Sequence, residues 1–151
     1  MHNANLDSNL INNRKIRNRE VDALGRSHAA GKYKTSVARV YLRAGDGQFL
    51  INQKTLNDYF SRKLYLKTIE KPFAVTGTIN SISVLADVSG GGITAQCRAI
   101  TLAISKALVK LNPEYYLPLR EHKLTTSINR PVERKKPGQP KARKKKPTSR
   151  R

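Results

Sequence analysis

Acid is scarce in this chain: ten Asp and Glu stand against thirty Lys and Arg in 151 residues, a formal net charge of +20. That excess is far beyond what solubility needs and sets up a field that draws in polyanions. A single cysteine, Cys97, excludes an intramolecular disulfide and suits a reducing compartment. No apolar run reaches membrane-spanning length, and the longest helical pattern is interrupted by Arg98 and Lys106. The basic C-terminal stretch also lacks the apolar anchors of membrane-surface helices, so no membrane partner is expected. The three histidines, His2, His28 and His122, are isolated and without metal-ligand spacing. Paired carboxylates and a Gly-x-Ser-x-Gly elbow are missing too. These gaps leave no sign of an enzyme, a metal, a cofactor or a small-molecule substrate. The N-terminal residues lack the apolar core of a secretory signal, and Asp7, Glu20 and Asp22 break the acid-poor rule of organelle presequences.

What is abundant is concentrated at the C-terminus. Residues 130–151 hold eleven Lys or Arg and one acid, Glu133, so their charge of +10 is half that of the whole chain. Arg130, Arg134, Lys135, Lys136, Lys141, Arg143, Lys144, Lys145 and Lys146 alternate there with four prolines and almost no apolar side chain. Such a segment cannot bury enough apolar surface to offset the entropy of ordering, and it calls for an extended polyanionic partner, first of all a nucleic acid. Three regions follow: residues 1–25, an Asn-rich extension with Arg14, Lys15, Arg17 and Arg19; residues 26–123, a globular core; and residues 124–151, an extended basic tail. The extension either contacts the polyanion as well or is simply solvated.

Within the core, residues 35–42 alternate Val37, Arg39 and Tyr41 with Ala38, Val40 and Leu42, a strand pattern. Asp46-Gly47 then signals a hairpin, with residues 48–51 as the returning strand. Leu56, Tyr59, Phe60 and Leu64 are spaced like one short helix. Residues 66–78 are ambiguous, and Pro72 argues against a central strand there. Ile82, Val84, Ala86 and Val88 mark another strand, closed by Gly90, Gly91 and Gly92. Cys97, Ile100, Ile104, Ala107, Leu108 and Leu111 form the stripe of a helix over residues 94–111. Asn112-Pro113 stops it and starts a second helix. The fold class is α+β, a two-layer sandwich with helices packed on a sheet.

Two features bear on binding. Gly90, Gly91 and Gly92 before a helix suit a phosphate cradle, although the commoner role of such a run is a tight turn where side chains would clash. It has neither the Walker lysine nor dinucleotide spacing. Lys32, Lys34, Arg39 and Arg98, together with Lys106 and Lys110, lie off the apolar stripes and read as phosphate contacts rather than as a merely solvated face. Tyr33 either stacks on a base or packs. Cys97 sits on the helix stripe and reads as a small core residue.

Residues 31–40, Gly-Lys-Tyr-Lys-Thr-Ser-Val-Ala-Arg-Val, resemble the opening of the bacterial-type small-subunit ribosomal protein number nine family. Gly45-Asp46-Gly47, Ile51-Asn52, Leu56-x-x-Tyr59-Phe60, Gly90-Gly91-Gly92-Ile93-Thr94-Ala95-Gln96 and Val132-Glu133-Arg134-Lys135-Lys136-Pro137-Gly138 continue the likeness in order. The resemblance implies a mostly four-stranded sheet with helices on one face, similar to the second domain of ribosomal protein five. It also implies a place in the head of the small ribosomal subunit among other head proteins, on small-subunit ribosomal RNA. The matching tip residues Ser149, Arg150 and Arg151 would then touch peptidyl-site transfer RNA. This chain has Thr148-Ser149-Arg150-Arg151 where the family ends Phe-Ser-Lys-Arg, Tyr33 where arginine is usual and Lys123 where glycine is usual. That drift, with the extension, points to a mitochondrial ribosome; a bacterial cytoplasm or a plastid is the alternative. The rivals from other classes are a free nucleic-acid-binding or condensing protein and a small phosphotransferase using the glycine loop.

Overall fold

A computed structural model describes residue 22, residues 25–128 and residues 130–148. Most of the N-terminal extension and the tip residues Ser149, Arg150 and Arg151 lie outside the described residues.

Alternation builds the sheet. In β2 (Ser36–Ala44), Ala38, Val40 and Leu42 are buried while Val37 and Arg39 are exposed. In β5 (Ile82–Ser89), Val84, Ala86 and Val88 are buried and Leu85 and Asp87 face outward. β1 (Ser27–Tyr33) precedes them and turns its small residues Ser27, Ala29 and Gly31 inward. β3 (Phe49–Ile51) and the two-residue β4 (Lys54–Thr55) complete a sheet of order β1-β2-β5-β3-β4. Neighbours run antiparallel except β3 and β5, which are parallel. The α+β arrangement is the expected one, with a short fifth strand added at the edge.

Pairing differs from expectation at Asp46-Gly47, which is not a hairpin turn. β5 matches β2 along residues 37–44 and β1 takes the other side, so both edges of β2 are filled. Three-residue β3 is left the free edge of β5. Gly47 (φ +73) still needs to be glycine, because a Cβ there would lie 3.0 Å from Asn80 Cα. The tight hairpin is instead the β3–β4 turn, where Asn52 (φ +47) and Gln53 (φ +67) both take the left-handed region of a type I′ turn.

The single short helix expected around residue 60 is two helices. α1 (Leu56–Tyr59) is capped by Thr55, whose hydroxyl accepts from the Asp58 amide. Phe60 is extended and buried, its ring edge-on to Tyr59 and Tyr65, so the chain breaks there to seat the ring. α2 (Lys63–Thr76) then covers most of the ambiguous stretch and ends at Gly77 (φ +67). Pro72 lies inside it, buried; its missing N–H deprives the Thr68 carbonyl of a helical partner. The Thr101 hydroxyl, bonded mainly to Cys97 O at 2.9 Å, lies 3.4 Å from that carbonyl.

α3 (Ile93–Leu111) packs its buried face, including Cys97, Ile100, Ile104 and Leu108, across β1 and β2. Leu111, expected on the same stripe, is 37% exposed at the helix end. The crossing with β1 is close at Gly31, where a Cβ would overlap the Ala99 carbonyl oxygen. Asn112 accepts from the Glu114 amide at 3.0 Å and begins a 3₁₀ turn (Pro113–Tyr115) leading into α4 (Tyr116–Glu121). No described helix is long and apolar enough to cross a membrane.

Candidate nucleic-acid interface

One end of the sheet gathers several of the basic residues. β1 and β2 are joined by a two-residue turn, Lys34-Thr35, both residues exposed and Lys34 in the left-handed region (φ +55), next to the exposed Lys32. The glycine loop packs directly on this turn. A Cβ on Gly90 (φ +73) would lie 2.7 Å from Thr35 O, and one on Gly91 (φ +66) 3.1 Å from Ser36 Cβ. Ser36 Oγ donates to Gly90 O at 2.9 Å and Gln96 Nε2 donates to the same oxygen at 3.2 Å. Gln96 is itself held by Tyr59, whose hydroxyl donates to Gln96 Oε1 at 2.9 Å. The loop is thus a strand-to-helix turn that requires glycine at positions 90 and 91 but not at 92, where φ is −101 and a Cβ would meet open space, and it delivers the start of α3 to the same end of the molecule. Gly92 caps α3 with no side-chain bond, and the first turn carries no acid, so its amides favour an anion.

Tyr33 packs against the core and receives Arg98. Arg98 Nη1 donates to Tyr33 Oη at 2.7 Å, and its guanidinium carbon lies 5.2 Å from the ring centre. This Arg–Tyr contact holds the cation at the sheet end rather than leaving Tyr33 free to stack on a base. Lys106 and Lys110 lie against β1: their ammonium groups donate to the carbonyls of Ala30, at 3.4 Å, and His28 on its outer edge. Two lysines on an edge strand discourage pairing with a second sheet. Sequence spacing placed them off the apolar stripe but could not reveal an edge strand beneath them, because β1 itself lacks apolar alternation.

The tail starts from this same end. Ile128 forms an isolated parallel bridge with Tyr33. Residues 130–148 form no helix or strand, and Arg130, Arg134, Lys135, Lys136, Lys141, Lys144, Lys145 and Lys146 are all exposed. The tail is not straight. Gln139 N donates to Lys136 O at 3.3 Å around Pro137-Gly138, with Gly138 at φ +70, the pattern of a type II turn. The fold-back brings Arg143 onto Glu133, where Nε donates to Oε2 at 2.7 Å and Nη2 to Oε1. That bidentate bond is the main reason the Glu133 carboxyl lies below the usual glutamate range, and Lys34 and Lys136 add to it. The Ile128–Tyr33 bridge places the root of the tail beside the β1–β2 turn.

Lys32, Lys34, Arg98 and the glycine loop therefore converge with the tail root. Arg39 stands apart, on the face of the sheet that no described helix covers. Cys97 is buried and its thiol is pushed up to about 11 by burial, the behaviour of a core residue. Among the described residues no group of His, Cys, Asp and Glu could hold a metal ion.

Residues 31–151 match the family described as "Ribosomal protein S9/S16". The chain is 48% identical over 126 residues to the "Small ribosomal subunit protein uS9" of Rickettsia africae, spanning 83% of this chain and 79% of that protein. The protein of the same name from Rickettsia canadensis is 47% identical across 83% of this chain and 78% of its own length. That from Rickettsia prowazekii is 47% identical over 131 residues, 87% of this chain and 81% of its own.

Proposed function

The chain belongs to the S9/S16 family of ribosomal proteins, a structural and non-enzymatic family, and on that premise we propose how it works in the small ribosomal subunit. The core docks on small-subunit ribosomal RNA through the sheet end where Lys32, Lys34, Arg98 and the turn Gly90-Gly91-Gly92 meet the tail root. That convergence is the observation that carries the reading. The tail neutralises phosphates where RNA helices crowd, through Arg130, Arg134, Lys135, Lys136, Lys141, Lys144, Lys145 and Lys146. Arginine in such a segment grips phosphate oxygens with a planar fork, where lysine acts as a point charge. Neighbouring proteins of the subunit head complete its surroundings, and residues 1–25, 26–123 and 124–151 act as extension, docking core and tail. Ser149, Arg150 and Arg151 are assigned to peptidyl-site transfer RNA. The compartment proposed is the mitochondrial matrix; a bacterial cytoplasm is the second reading, favoured by the Rickettsia relatives.

Salt dependence tests the core of this proposal. Eight described tail cations lack an acid partner once Arg143 is set aside. If all eight contact phosphates, they alone give log K for the full chain a slope of about −6 to −7 against log salt, and the core cations steepen it further. A slope near −1 overturns the phosphate reading. Stable co-sedimentation with small subunits at moderate salt separates a ribosomal component from a free condensing protein.

A further inference from the structure

The described helices leave one face of the sheet open, and that face is built for something flat. Strand register aligns His28 of β1, Tyr41 of β2, Leu85 of β5 and Leu50 of β3 in one row across it. Leu85 and Leu50 are 42% and 38% exposed. At the β1–β2 end of the row a depression of about 260 Å³ opens, lined by His28, Ala30, Arg39 and Tyr41 with the backbone between. Ala30, the partner of Arg39 in the register, is its floor; the rings of His28 and Tyr41, 6.0 Å apart, stand on one side and Arg39 on the other. Arg26 lies with its guanidinium carbon 5.5 Å from the Tyr41 ring centre. Its Nε is buried without a hydrogen-bond partner among the described residues. Arg39 and Arg43 form no ion pair among the described residues, although Asp87 stands opposite Arg39 in the register and Asp22 faces His28 at 3.8 Å.

We propose that this depression receives one unpaired base of the bound RNA, held against Tyr41 and His28, with Arg26, Arg39 and Arg43 on its flanking phosphates. The inference rests on the ribosomal reading above and adds to it a second contact region, away from the tail root. Charge favours RNA over a protein as occupant: Arg26, Arg39 and Arg43 flank the aromatic pair, and the acids beside it among the described residues are Asp22 and Asp87. Aromatic rings beside arginines on an uncovered sheet are the means by which single-stranded RNA is held, since every base offers a π-face. The site reads a flat ring and its phosphates, so it selects an unpaired nucleotide without selecting its identity.

Ultraviolet cross-linking of assembled small subunits, with mass spectrometry of nucleotide–peptide adducts, tests it. An adduct on Tyr41 or His28 is expected; adducts confined to the tail and the β1–β2 turn overturn the proposal. A protein–protein cross-link from the Tyr41 peptide overturns it as well, because a neighbouring protein then covers the face. Tyr41→Leu keeps apolar bulk and is expected to weaken RNA binding on the order of 10-fold, while Tyr41→Phe retains it. Tyr41→Leu binding as tightly as the native chain, with an unchanged melting midpoint, sinks the idea. Sedimentation keeps the two readings apart. A native chain that does not travel with small subunits fails the ribosomal reading, whereas one that does, without an adduct at Tyr41, fails only the base pocket.

Discussion

Asn52 completes the sheet with its side chain: Nδ2 donates to Val88 O and Oδ1 accepts from Val88 N, both at 2.9 Å. The amide thereby acts as one more rung between β3 and β5, from a residue whose own backbone is in a left-handed turn. Asn52→Ala removes both bonds and leaves two partly buried backbone groups without partners. The expected loss is about 1–3 kcal/mol, read from urea unfolding. Asn52→Gly separates the causes, because it relieves the backbone while losing the same bonds. It is expected to remain well below the native chain.

Gly31→Val is expected to be the more damaging change. The added Cβ meets the Ala99 carbonyl oxygen and lies 2.7 Å from Ala103 N, both backbone atoms of a helix that cannot yield locally. Overpacking of a tight crossing costs about 1–3 kcal/mol or more, and thermal unfolding of the purified variant measures it. Retention of the native midpoint would show that the β1–α3 crossing is looser than described.

Glu133→Gln is expected to leave stability unchanged, because the Glu133–Arg143 pair is exposed. Its effect falls on RNA. Arg143, released from the carboxylate, joins the phosphate contacts and makes the salt slope more negative by about 0.7 to 0.9. A slope equal to the native value means that RNA already takes Arg143 from Glu133.

The same pair sets a pH dependence. The Glu133 carboxyl is held below its ordinary range by Arg143, so the clasp is complete above the ordinary glutamate value and opens as pH falls through the lowered one. Carboxyl NMR of the full chain follows it. Arg143→Ala is expected to return the titration toward the ordinary range.

Cys97 is expected to resist thiol reagents at neutral pH until the protein unfolds. Its thiol is raised from 9.0 to about 11 in the fold. As pH rises above 9, the unfolded chain loses this proton first, so stability falls between pH 9 and 11. Labelling at the rate of a free thiol under native conditions contradicts the burial.

Removing Ser149, Arg150 and Arg151 is expected to leave co-sedimentation with small subunits intact and to weaken retention of peptidyl-site transfer RNA. Filter binding on purified subunits decides this. Normal retention overturns the assignment of the tip.

The strands that bury branched side chains on alternate positions, β2 and β5, were legible in the sequence, as was the three-and-four spacing of α3. β1 was not. Its inward residues are Ser27, Ala29 and Gly31, small because α3 presses close, and small residues carry no alternating apolar signal. Asp46-Gly47 misled because a turn signal says that the chain reverses, not which strand it rejoins. The break at Phe60 follows from seating one ring between Tyr59 and Tyr65, a tertiary demand that local spacing does not record. At the candidate interface, charge alone marks the basic residues. It could not tell Arg98, held by Tyr33, from Lys106, held by a carbonyl of β1, because both partners lie more than sixty residues away.

The bridge between Tyr33 and Ile128 fixes where the tail leaves the core. With the core docked on RNA as proposed, each later tail contact would be intramolecular. The cations would then meet nearby phosphates at a local concentration set by the length of chain that follows residue 128. A substitution that frees this root is then expected to lower the avidity of the whole protein while every basic residue stays in place.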